Sequence, residues 1–325
     1  MIPAVALFFL SPLVGEYLLG NTPVTDVGSL FLFAPMYGGG ALLIREVARR
    51  TGRGWAAIVP FAAAYALLEE GPIDMMLWNP TYGGFDIAAA YAETYVPALG
   101  TSVQMLQDVL TMHTVWSICV PIAIVEAFCR NRTEPWLGKA GLTVVAVVFV
   151  AGSAALCAMQ IASTGFVASA GELGWSAVVI AGLVVLGFWL GKRSLPHRDG
   201  VAPAPAVVGV AAFGATSLVW CREFLPDGVP QAAVSVAWCL LVAAAVALVI
   251  RWCRSAGWGA RHRLALAAGA LVTYVWVGWQ HARDMDIPRM TAVLGNVGFA
   301  LAVVALLLAA FWRSSVHGRQ RGGHE

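Results

Sequence analysis

Two adjacent carboxylates, Glu69 and Glu70, close the apolar run AAAYALLEEGPIDMMLWNP at residues 62–80. A charged side chain inside a bilayer is costly, so an acid at membrane depth marks a functional site by default. Neighbouring carboxyls in a dry setting resist ionising together. One that holds its proton acts as a general acid or proton carrier, and its ionised twin acts as a base. Gly71-Pro72 follows at once. Proline lacks the N–H that would bond Leu68, so the helix is expected to break there and leave the pair at a carbonyl-rich end. The bland alternative is that both acids face water above the bilayer or merely hold a loop.

Other polar groups fall at membrane depth in the first 130 residues: Glu16, Arg45, Glu46, His113 and Glu126, with Asp74 and Asp108 at the boundary. His113 shares a helix stripe with Trp116 and Ser117 and lies about 140° round from Asp108 at 100° per residue. Glu126 lies 13 residues beyond His113, roughly 20 Å along a helix axis. The two therefore belong to separate clusters. His113 goes with Glu69 and Glu70, and Glu126 goes with Arg45, Glu46 and Arg130 at the other end. Glu46 and Arg50, like Arg45 and Arg49, stand four apart, which suits an interfacial salt-bridge network. Glu16, Asp74, Asp108 and His281 are secondary candidates for substrate contact or a polar subsite. His281 is expected at the depth of His113, so Glu70, His113 and His281 form a possible metal set, although no local ligand spacing supports it. No cofactor is required by the sequence.

The elements that must position these groups are membrane helices. Apolar residues make up 59% of the 325-residue chain, charged residues 12%, and mean hydropathy is +0.76, outside the range of soluble domains. Runs of about 20 apolar residues occur at 2–19, 29–48, 55–73, 109–128, 140–162, 175–191, 206–220, 232–250, 264–280 and 290–312. The expected fold is all-α, a polytopic transmembrane bundle of about ten spans. All but three of the 20 Lys and Arg residues, the exceptions being Arg222, Arg283 and Arg289, fall in alternate loops. Loops retained in the cytoplasm carry that excess, so both termini are expected to be cytoplasmic in a bacterial inner (plasma) membrane protein. The chain divides into a four-span polar unit at 1–130, spans five and six at 131–194, a flexible linker at 195–205, a scaffold of four spans at 206–312 and a basic tail at 313–325. The N-terminal run lacks a basic flank and a cleavage site and reads as a retained span.

The six cysteines are scattered without a CxxC pair, which argues against a disulfide framework or a zinc site. A net charge of +2 gives no reason to invoke nucleic acid. The expected partners are the lipid bilayer and a small-molecule, lipid or peptide substrate. The loop from Trp78 to Gly100 holds no Lys or Arg, and its tryptophan and tyrosines either line an entrance or anchor the interface.

The runs PMYGGGALLIREVARRTGRGW, AYALLEEG, WNPTY and LTMHTVWSICVPIAIVEA resemble a family of bacterial multi-pass membrane proteins of unassigned function, over about the first 140 residues. More remotely, adjacent glutamates in one span and a histidine in the next are similar to the CAAX-protease and bacteriocin-processing glutamic intramembrane proteases. That resemblance implies catalytic roles for Glu69, Glu70 and His113. Asp74, Val109 and Met285 stand where that family's motifs carry Arg, Phe and Asn or Asp. Three functions stay open: an intramembrane hydrolase, a proton-coupled secondary transporter using the Glu69/Glu70 pair, and an accessory or assembly subunit.

Overall fold

The computed structural model describes residues 2–193, 196, 198–226 and 228–322, with side chains described as far as 314. Ten long helices are found among the described residues. They are α1 (Ile2–Leu18), α2 (Gly28–Arg50), α3 (Trp55–Ile73), α4 (Val103–Phe128), α5 (Lys139–Thr164), α6 (Ala170–Leu190), α7 (Pro205–Phe224), α8 (Gln231–Cys253), α9 (Ala260–Asp284) and α10 (Arg289–Gly322). Eight of them are long and apolar enough to cross a membrane; α1 is shorter and α9 is more polar. The chain is an all-α multi-pass membrane bundle.

The helices alternate in direction, as their loop contacts show. At one end Arg53 reaches the Phe188 carbonyl of α6, Arg50 reaches Leu137, and Arg254 reaches Pro196. At the other end Trp78 and Trp175 share the Leu99 carbonyl, Gln231 N–H donates to Glu93, and His281 meets Asn21. The arginine-rich loops therefore gather at a single end, hereafter the basic end. Arg222, an exception to that segregation, forms a close ion pair with Asp108 at the opposite end. Its charge is neutralised where it stands.

Burial separates an inner set from an outer shell. Helices α2, α3, α4 and α9 bury long stretches of both apolar and polar residues. In α5, α6, α7 and α8 the few buried positions are mostly small: Ser153, Ser176 with Gly187, Val208 with Trp220, and Ser235. Lipid is as apolar as a leucine side chain, so close helix contact in a membrane depends on small residues. The run Gly38-Gly39-Gly40 illustrates this, because successive positions on a helix face different neighbours. A Cβ on Gly38 would strike the Phe8 carbonyl of α1, one on Gly39 would crowd Phe149 of α5, and one on Gly40 would strike the Tyr65 ring of α3. The glycines pack helices, and Gly40 also makes room for a site tyrosine.

Two expectations need correction. Gly71-Pro72 does not break α3. The helix widens into a π-helical turn at Glu69–Ile73, closed by Asp74 N–H donating to the Glu69 carbonyl at 2.9 Å. Wider bonding relieves the clash between a proline ring and the preceding turn without ending the helix. The chain turns away only at Met75, whose φ of 61° is unusual for a residue with a side chain. Second, residues 195–205 are not wholly unstructured. Arg198–Val201 forms a strand beside Ser255–Ala256, while Leu195 and His197 lie outside the described residues. The basic tail continues α10 as helix to Gly322, and residues 323–325 lie outside the described residues.

Candidate functional site

His113 stands between the two glutamates. Its Nε2 lies 2.5 Å from Glu70 Oε1, and its Nδ1 lies 2.9 Å from Glu69 Oε2 and 3.1 Å from Ser117 Oγ. All three residues are buried, with Glu69 only 1% and Glu70 4% exposed. Ser117 follows one turn after His113 on the same stripe, and its own backbone carbonyl accepts from Ser11 of α1 at 2.5 Å. Glu16 joins from α1: Tyr37 of α2 donates its hydroxyl to Glu16, and the Tyr37 ring lies 5.8 Å from the His113 ring. Tyr65, one turn before Glu69, sits beside that carboxylate without a completed bond.

The three glutamates and the histidine of the site all occupy π-helical turns. Glu16 lies in Leu13–Leu18, Glu69 and Glu70 in Glu69–Ile73, and His113 opens His113–Cys119. Pro12 immediately precedes the first turn, Pro72 lies inside the second, and Pro121 follows the third by two residues. Single π turns are rare and concentrate at functional sites, where the extra residue re-aims side chains. Here the consequence is convergence. Two adjacent glutamates on a regular α-helix point about 100° apart, yet both reach one imidazole.

Two buried oxygens remain without hydrogen-bond partners, Glu70 Oε2 and the Tyr65 hydroxyl, whereas Glu69 Oε2 faces His113 Nδ1 at 2.9 Å. Each such orphan costs roughly 1–3 kcal/mol. The site thus presents unmet hydrogen-bonding capacity around His113.

Asp74 lies just beyond the pair on the side away from the basic end. It accepts from the Tyr82 hydroxyl at 3.1 Å and from Met76 N–H at 3.0 Å. Burial, followed by the charge of Asp74, pushes the Tyr82 phenol above its ordinary value, so it stays a donor. Asp108 belongs elsewhere: besides Arg222 it holds the Tyr91 hydroxyl at 3.2 Å. His281 is not part of the site. Its Nδ1 lies 3.0 Å from Asn21 Oδ1, and its ring meets Trp220 edge to face at 5.2 Å. The reason is the side from which α9 approaches: α4 presents Trp116 to it, stacked on Tyr274 at 4.4 Å, and turns His113 toward α3. The metal set Glu70, His113 and His281 is therefore not assembled. No group of three or more His, Cys, Asp or Glu among the described residues is arranged to hold a metal ion.

The second cluster forms at the basic end. Arg45, fully buried, donates to Glu126 at 3.1 Å, to Glu46 at 2.7 Å and to the carbonyls of Arg132 and Glu134, both at 2.8 Å. Its guanidinium also lies over the Trp136 ring. Arg49 grips both oxygens of Glu126, and Arg50 reaches Glu46 at 3.3 Å. Glu46 in turn accepts from the backbone of Trp136 and Leu137. Every Arg45 nitrogen is matched, which makes this a clamp on the loop between α4 and α5. Arg130, expected in the cluster, contributes none of these bonds.

A family model described as an uncharacterized membrane protein family matches residues 5–315. The chain belongs to that family. No curated protein and no solved structure matches. Membership in this family agrees with a multi-pass membrane protein, and both clusters lie within the matched residues.

Ser117 stood on the His113 stripe in the sequence but carried no assigned role, and Tyr37, Tyr65 and Tyr82 were not singled out as site residues. A signal existed for two of them. Tyr65 precedes Glu69 by four residues and Ser117 follows His113 by four, so each shares a helix face with a chosen residue. Tyr37 and Tyr82 come from separate elements and carried no such mark.

Proposed function

We propose that the chain is an intramembrane hydrolase whose acid–base centre is Glu69, Glu70 and His113, acting on a peptide or lipid-linked bond. The observation that supports this reading is the seating of His113 between the two carboxylates, 2.5 Å from Glu70 and 2.9 Å from Glu69, with the second Glu70 oxygen buried and without a hydrogen-bond partner. Glu70 holds the imidazole in place through Nε2. Substrate entering beside His113 takes the Nδ1 position now shared by Glu69 and Ser117. Water then adds to the substrate carbonyl carbon while Glu69 accepts its proton, and His113 donates a hydrogen bond to the developing oxyanion. On collapse the carbon–nitrogen or carbon–oxygen bond breaks, and the proton on Glu69 passes to the departing amine or alcohol. The products are an acid and the free leaving group, with no net proton gained. The same residues carry the resemblance to the glutamic intramembrane proteases. Retention of Lys and Arg in the cytoplasm would set the centre toward the outer leaflet of a bacterial plasma membrane.

The test compares membranes from cells making the wild-type chain, Glu69→Gln, Glu70→Gln or His113→Ala, with peptides and lipids profiled by mass spectrometry. Each variant should accumulate the uncleaved substrate, and purified protein in liposomes should lose about 10²–10⁴-fold in turnover of it. Identical profiles in all four would overturn the proposal.

A second reading, proton-coupled transport, draws on one further observation. Tyr82 and Asp74 lead from the loop toward Glu70, and Glu16 with Tyr37 continues beyond His113. Such a series of titratable groups through a bundle is what a proton relay uses. Substrate-dependent proton uptake into liposomes, lost in the Glu69→Gln and Glu70→Gln double variant with no cleaved product, would favour it.

A further inference from the structure

A cavity of about 430 Å³ opens at the end of the molecule away from the basic loops, walled by Trp78, Asn79, Tyr91, Tyr95, Thr101 and Met105 among others. Its volume falls within the ~300–1,000 Å³ of small-ligand sites. It adjoins the acid–base centre through the backbone. Leu77 N–H donates to the Glu70 carbonyl at 3.1 Å, and the Trp78 ring packs over Gly71.

We infer that this cavity is the substrate-docking site and that it takes an uncharged, extended peptide segment, an inference that deepens the hydrolase reading and rests on it. Three observations carry it. No Asp, Glu, His, Lys or Arg lines the wall, and an unpaired charge buried there would be heavily penalised. Phosphate, carboxylate and ammonium headgroups are thereby disfavoured. Two polar atoms in the wall are buried without partners, Asn79 Nδ2 and Thr101 Oγ1, on residues 2% and 1% exposed. Asn79 Oδ1 is already taken by Thr81 N–H at 3.1 Å, so Asn79 has only donors left to offer. Both orphans are suited to carbonyl oxygens. Finally, the remaining wall is largely aromatic and aliphatic. A sugar would bury many hydroxyls against it unpaired, whereas a peptide offers spaced carbonyls and apolar side chains. Thr101 belongs to a short hairpin, Tyr95–Val96 with Thr101–Ser102, beside which an extended segment lies naturally.

The test is equilibrium binding to the full-length protein in detergent, followed by tryptophan fluorescence. Acetyl-Leu-Ala-Leu-amide is the probe. The same peptide with Asp or Lys at its centre, methyl glucoside and inorganic phosphate are the comparators. The neutral peptide should bind, and central Asp or Lys should weaken it about tenfold or more. Thr101→Val should weaken binding roughly three- to tenfold, the loss of one neutral hydrogen bond. Thr101→Ser, which keeps the hydroxyl, should restore it. Asn79→Asp, which keeps the bond to Thr81 but removes the donor, should also weaken it. Preferential binding of phosphate or glucoside, no binding of the neutral peptide, or wild-type affinity in Thr101→Val and Asn79→Asp would overturn the inference. The Glu69→Gln, Glu70→Gln double variant should still bind the peptide. Turnover persisting in that variant would defeat the hydrolase reading while leaving the docking result intact.

Discussion

At the scale of single residues, the two ionic clusters differ in what they leave unsatisfied. Around Arg45 all three nitrogens are bonded to named acceptors, and the carboxylates of Glu46 and Glu126 are in turn filled by Arg49, Arg50 and backbone N–H groups. Around His113, carboxylate and phenol oxygens are left over. The first arrangement has no capacity for a ligand, and the second does. Arg45→Ala should therefore destabilise the protein by about 3–5 kcal/mol, because it strands buried carboxylates. Arg45→Lys should also destabilise it, since an ammonium cannot copy the planar fork. Thermal unfolding in detergent checks both, and peptide binding per folded molecule should be unchanged. Spacing four apart in the sequence was enough to expect the Glu46–Arg50 pair. It did not reveal that Arg45 would also tie down the carbonyls of Arg132 and Glu134, which come from a loop more than 80 residues away.

At the scale of elements, the site depends on three π turns rather than on helix breaks. Proline at 72 reads from sequence as an interruption, because local rules price only the lost bond and the ring clash. The tertiary structure takes the cheaper course of one wider turn and keeps α3 packed on α4. Pro72→Ala is expected to let the turn tighten toward α-helix and rotate Glu69 and Glu70 away from a shared imidazole. Turnover should fall at least tenfold while α3 stays folded, as circular dichroism and thermal unfolding would register. Full turnover in this variant would show that the π turn is incidental to the aim of the two carboxylates.

At the scale of the molecule, the inner helices α1 to α4 and α9 hold the polar groups, and α5 to α8 present mostly Val, Leu and Ala to their surroundings. Alternation of ten helices places Thr81 and Thr133, both exposed, at opposite ends. With the six native cysteines removed, Thr81→Cys should react with a membrane-impermeant maleimide from outside intact cells. Thr133→Cys should react only after the cytoplasmic face is opened, as the charge bias of the loops requires. Labelling of both from one side would contradict the alternation.

The sequence by itself determined the all-α membrane class, the run of helices and the gathering of arginines at one end. Each follows from composition and periodicity within about 20 neighbouring residues. It also singled out Glu69, Glu70 and His113, since acids and histidine at membrane depth stand out against an apolar background. Only the tertiary structure decided which of the isolated groups meet. Glu16 and Tyr37 entered the site because glycines at 38 and 40 let α1 and Tyr65 approach α2. His281 was excluded because α9 packs on the Trp116 side of α4, and Asp108 was drawn off by Arg222. Such contacts join residues tens to hundreds of positions apart, and they are set by which helix faces pack together, a property that no local window of sequence contains.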